Sequence, residues 1–101
     1  MNKGVRQGDI LRIERIKALV LVTSKDFFNQ TGEVIGCPLQ NSCTDSPLHI
    51  KVDSLEEDLY AQCEKLALLD LSERRYSKVG TISISDVINI SDAIQGIFDY
   101  I

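Results

Sequence analysis

Apolar and polar residues alternate over residues 9–14, DILRIE, the period-two pattern of a strand with one face on the core. Residues 18–23, ALVLVT, are almost continuously apolar and rich in β-branched side chains, which predicts a central strand buried on both faces. Only Arg15, Ile16 and Lys17 separate the two, so they are expected to form a tight antiparallel hairpin. A polar excursion with two aromatics, KDFFN (25–29), reads as a helical turn or short helix. Thr31-Gly32 then turns the chain into a third strand, EVIGCPL (33–39), with Pro38 closing it or marking an edge. Residues 40–47 have loop composition, and alternation returns over 48–53. The segment 54–60 is a polar helical turn or loop, its Glu56-Glu57-Asp58 run a solvated face. Residues 61–70, AQCEKLALLD, read as one long strand, polar first half toward a cleft and apolar second half in the core. Ser72 is placed to cap a short helical turn, SERRYS, and 79–83 reads as the last strand. At the C-terminus Val87, Ile90, Ile94, Ile97 and Ile101 recur at spacings of three, four, three and four, one stripe of an amphipathic helix. Ser83 and Asp86 form its Ser-x-x-Asp start signal.

These elements describe a compact, mainly β domain with roughly five or six strands and accessory helices. At 101 residues the chain has room for one core, so residues 1–101 are read as a single domain. No apolar run approaches the roughly 20 residues that span a membrane. The N-terminus has no apolar segment behind its charges, and the expected location is the cytoplasm. Cys37, Cys43 and Cys63 are too few and too scattered for a disulfide framework and are expected to be reduced.

A net charge of −4 argues against a nucleic-acid binder held by overall field. The distribution changes that picture. Residues 1–25 carry Lys3, Arg6, Arg12, Arg15, Lys17 and Lys25 against only Asp9 and Glu14, while the remainder is strongly acidic. One end of an acidic body therefore offers a local cationic patch.

Three kinds of chemistry find little support. The cysteines and the single histidine, His49, lack the paired short spacings of a zinc site, and no metal or other cofactor is expected. His49 sits in a predicted strand, where a lone histidine is more often structural than part of a catalytic triad. The six glycines are dispersed and make no phosphate loop. What remains is a cation with a carboxylate. Lys17 begins the central strand, and Gln62 and Glu64, two apart on the predicted strand 61–70, would share a face. RNA cleavage without metal needs a base for the 2′-hydroxyl proton, an acid for the leaving oxygen and fixed positive charge at the phosphate. Glu64 is the candidate base, with Lys17 or Arg15 as electrostatic partner.

The order of segments resembles the PemK/MazF family of bacterial toxins over nearly the whole chain. Gly8-Asp9-Ile10 is similar to the family's opening glycine–aspartate strand. Lys17 to Leu39 resembles a stretch with an arginine, an apolar strand, a polar turn containing Phe-Asn and a strand ending in proline. Residues 68–83 resemble the arginine-bearing turn and glycine that lead to the final helix. The resemblance implies an SH3-like β-barrel of the PemK/MazF/CcdB type with a C-terminal amphipathic helix, assembled as a homodimer. It implies a metal-independent endoribonuclease that cuts single-stranded RNA at short sequences and arrests growth, and a cognate antitoxin that blocks the RNA groove. Acidic antitoxin tails would suit the cationic N-terminal region. Carried onto this chain, the catalytic positions are Lys17 and Glu64, and Arg15, Gln40, Ser42 and Gln62 position RNA. The chain departs from the family pattern in its first loop, shortened to Glu14-Arg15-Ile16, and in Lys17-Ala18 at the arginine–proline pair. An ammonium keeps the charge but loses the planar fork of a guanidinium. Those departures leave a second reading, a toxin-like binding module that has lost cleavage or acts on a protein such as DNA gyrase.

Overall fold

The structure is a computed structural model and describes residues 4–53 and 57–99. Among the described residues, seven strands and two helices follow one another as β1 (Asp9–Ile13), β2 (Leu19–Val22), α1 (Asp26–Asn29), β3 (Glu33–Gln40), β4 (His49–Val52), β5 (Leu59–Gln62), β6 (Ala67–Asp70), β7 (Tyr76–Thr81) and α2 (Ile84–Phe98). Every strand pairing is antiparallel, in the spatial order β4-β5-β3-β2-β1-β7, with β6 also on β3. The expected α+β class is therefore present. Among the described residues, however, the hydrogen-bonded path ends at β4 and β7, so the ladder is open rather than a closed barrel.

Side-chain alternation divides the apolar residues into two cores. Ile10, Leu21, Leu39, Ala61 and Cys63 pack with Ile90, Val87 and Ile94 of α2 on one face. Leu11, Ile13, Val20, Val22, Val34 and Leu71 form the other. The continuously apolar β2 serves both, as its pattern predicts. Gly36 allows β2 and β3 to approach: a Cβ there would lie 2.7 Å from Val20 Cγ1 and 2.8 Å from the Leu21 carbonyl.

The C-terminal helix begins where the sequence places it, with the Ser83 hydroxyl accepting the Asp86 N–H at 3.1 Å. Ile90 is fully buried, Val87 and Ile94 partly so, and Ile97 is largely exposed, so the stripe loses contact toward its end. Ile101 and Glu56 lie outside the described residues.

Three expectations are corrected. Residues 61–70 are not one strand. Moving from the Leu39–Ala61 pair to the Gly36–Ala67 pair covers three residues on β3 but six on its partner, so three extra residues are extruded as a bulge over 63–66. Pro38 neither ends β3 nor marks its edge. It lies within the strand, at the place where the partner changes from β5 to β6 and its missing N–H costs no ladder bond there. Ser72 caps no helix: its N–H and hydroxyl instead donate to the Asp70 carboxylate in a turn, and β7 starts at Tyr76.

Candidate functional site

The hairpin between β1 and β2 builds a basic end. Ile16 N–H donates to the Ile13 carbonyl, closing a four-residue turn, and Arg15 takes a left-handed φ of 68°. It is the one non-glycine residue with positive φ among the described residues, a conformation that costs about 1–2 kcal/mol. Both Arg15 and Lys17 are exposed. The β1–β7 pairing adds cations that are remote in sequence. Glu14 N–H donates to the Arg75 carbonyl, and the Glu14 carboxylate accepts the Arg75 N–H at 3.3 Å. Arg74 and Arg75 therefore sit beside the hairpin turn, a placement that only the pairing of the first and last strands reveals.

Lys17 lies two residues before the Leu19–Leu39 pair, on the side of Asn41 and the exposed Ser42. Gln40 pairs with Tyr60, and Tyr60 with Lys51. The next row joins Gln62 to His49. Because Leu59, Ala61 and Val52 enter the α2-side core, alternation puts Gln40, Tyr60, Gln62, His49 and Lys51 on the opposite face of β3, β5 and β4. Gln62 is buried, and its Oε1 has no hydrogen-bond partner, which marks a polar position that the folded chain leaves unsatisfied.

Glu64 projects from the bulge rather than from the strand, so it does not share a strand face with Gln62. Its turn is set by Lys65 N–H donating to the Gln62 carbonyl. The carboxylate accepts from His49 Nε2 at 2.9 Å, and His49 Nδ1 contacts the Thr44 carbonyl at 2.5 Å. The His49 hydrogen bond is the main cause that draws the Glu64 pKa below its ordinary value, and the bond to Glu64, aided by Thr44, raises that of His49. The thiols beneath are inert: burial pushes Cys37 up to about 12 and Cys63 to about 11. All three cysteines are free.

The structure thus brings Lys17, Gln40 and Ser42 to one end of the β2–β3–β5 ladder and Glu64 to the other, with Gln62 between. Among the described residues no ion pair joins Lys17 to Glu64. His49, set aside as structural on sequence grounds, contacts Glu64, and no pattern in the sequence signals that contact. No group of metal-ligating side chains able to hold an ion occurs among the described residues.

The antiparallel sheet with its C-terminal helix is a fold that solved MazF structures share. In the MazE–MazF crystal structure (Form-I) from Deinococcus radiodurans the matching chain superposes with a TM-score of 0.83 at 15% identity, covering 93% of this chain and 95% of that one. A structure named as an endoribonuclease from a mycobacterial species matches at 0.81 and 17% identity over 95% and 92% of the two chains. The Mycobacterium tuberculosis toxin MazF-mt6 matches at 0.75 and 13% identity over 92% and 99%. No curated protein sequence matches this one significantly. The sequence profile of the PemK-like, MazF-like toxins of type II toxin–antitoxin systems matches residues 8–98, and the chain belongs to that family.

Proposed function

We propose that this protein is the toxin of a toxin–antitoxin pair and a metal-independent, sequence-specific endoribonuclease that cuts single-stranded RNA and arrests growth. Family membership across residues 8–98 carries the reading. Structures of the same fold named as an endoribonuclease, alone and in complex with its cognate antitoxin, support it. On this reading the protein acts in the cytoplasm as a homodimer and is silenced by an antitoxin. Glu64 takes the 2′-hydroxyl proton, a role its lowered pKa suits better than that of acid, because it stays ionised at neutral pH. Lys17 and Arg15 stabilise the crowded phosphate, and Gln40, Ser42 and Gln62 position the strand. Lys17 and Glu64 form no ion pair with each other among the described residues, so on this reading both are free to meet one bound phosphodiester.

The test is incubation of purified protein with long, mixed-sequence single-stranded RNA in EDTA, with each new 5′ end mapped. Cuts at one short recurring sequence, lost in Glu64→Gln and reduced on the order of a hundredfold or more in Lys17→Ala, are the expected result. Full activity in both variants removes these residues from the site. The shortened first loop and Lys17-Ala18 in place of the family's arginine–proline pair favour one alternative, a toxin-like binding module acting on a protein such as DNA gyrase. A folded protein that makes no cuts would select it.

A further inference from the structure

The His49 ring is held between two groups that can only accept hydrogen bonds. Nδ1 faces the Thr44 carbonyl, and Nε2 faces the Glu64 carboxylate. A neutral imidazole has one N–H and can satisfy one of them; the imidazolium, with two, satisfies both. The side chain is nearly buried, with 8% of its surface exposed, while 36% of the Glu64 side chain remains exposed. His49 therefore has no free nitrogen to offer a substrate, and Glu64 is the exposed member of the pair. The two contacts also tie together two pieces of backbone. Thr44 belongs to the loop 41–48 that leaves β3 after Gln40 and carries Ser42, whereas Glu64 sits on the bulge after β5.

We propose that His49 is a positioning residue: as an imidazolium it clasps the 41–48 loop to the Glu64 carboxylate and so fixes both for the reaction. The reaction itself rests on the ribonuclease reading above; the clasp does not. Loss of the ring proton leaves one acceptor without a donor, so either the loop or the carboxylate is released. The charged groups around the ring set when this happens. Glu64 favours the charged form and Lys65, on the same bulge, opposes it. On β4 itself Lys51 is occupied with Asp58 at 3.4 Å. The thiols of Cys37 on β3 and Cys63 after β5 stay neutral at physiological pH.

His49 is the single histidine of the chain, so its ring nitrogens can be followed by 15N NMR in the intact protein without ambiguity. Both nitrogens are expected to stay protonated above pH 6.5, the ordinary histidine value, and to lose the proton at lower pH in Glu64→Gln. Titration at or below 6.5 in the wild type, or no change in the variant, overturns the clasp. Two substitutions separate its arms. His49→Asn retains a donor near the Nδ1 position and His49→Gln one near Nε2, each without charge. Amide exchange over residues 44–48 is expected to quicken in His49→Gln and to stay closer to wild type in His49→Asn. Equal exchange in wild type and His49→Gln counts against the loop contact. In RNA cleavage, activity is expected to fall as pH rises through the wild-type His49 titration. His49→Gln should lose that limb and fall on the order of a hundredfold, the cost of misplacing a reacting group by about an ångström. A limb that survives in His49→Gln overturns the positioning role. A wild type that makes no cuts overturns the ribonuclease reading and the role in it, while the nitrogen shifts still decide whether the clasp exists.

Discussion

Gly36 and Asp9 show how single residues hold the sheet on which the site depends. With Val20 and the Leu21 carbonyl under 3 Å from any added Cβ, Gly36→Ala must separate β2 from β3 or distort both. Overpacking of this kind costs about 1–3 kcal/mol, and urea denaturation should find that loss at unchanged m-value. Asp9 is a buried carboxylate. One oxygen accepts the Arg6 N–H at 2.8 Å and the other meets Lys78 of β7 at 3.2 Å. Lys78→Met would leave that carboxylate short of a partner, and about 1–3 kcal/mol of destabilisation is expected in the same assay. At this scale the sequence was least informative about the candidate site. His49 reads as a lone histidine because its partners, Thr44 and Glu64, are chosen by a loop and a bulge that carry no periodic signal. The Arg74–Arg75 pair likewise joins the basic hairpin only through β1–β7 pairing.

At the scale of elements, strong periodicity was enough. The strands of the first half and the terminal helix were legible because each buries a regular stripe, and Ser83 at the helix start carries its own physical reason. Ser83→Ala should cost about 0.5–2 kcal/mol through the lost cap, and Ile90→Ala about 2–5 through the cavity in the α2-side core. Ile97→Ala, on an exposed turn, should cost far less, and thermal melts of the three variants check that order. The segment 61–70 was misread for an equally physical reason. Its composition suits a strand throughout, and a bulge is set by the partner strand's register rather than by local preference. The short turn at Ser72 failed similarly, since the Asp70 carboxylate engages the hydroxyl that a helix cap would use.

For the whole molecule, the charged pair ties stability to pH. The folded pKa of His49 is raised, so its contribution is fully present below the ordinary 6.5 and disappears as pH rises through the folded value. Glu64 is lowered, so its contribution is present above about 4.5, its ordinary value, and disappears as pH falls through the folded value. Between those limits the wild type should gain stability over Glu64→Gln, and the gain should shrink on both sides. Denaturation midpoints of the two proteins across pH 3–9 measure it. Assembly belongs to this scale as well. A homodimer is the expectation that goes with the ribonuclease reading, and sedimentation showing only monomer at micromolar concentration would count against it.

The three-residue bulge after β5 has a consequence for how such a chain can change over generations. Residues 64–66 stand outside the β3 ladder, while β5 before them and β6 after them keep their pairing with β3. A mutation at Lys65 is therefore tested by selection mainly for what it does at the surface, and one at Glu64 for that and for its contact with His49. The domain can try new chemistry there, or abandon the old, and remain a well-formed toxin scaffold while it does so.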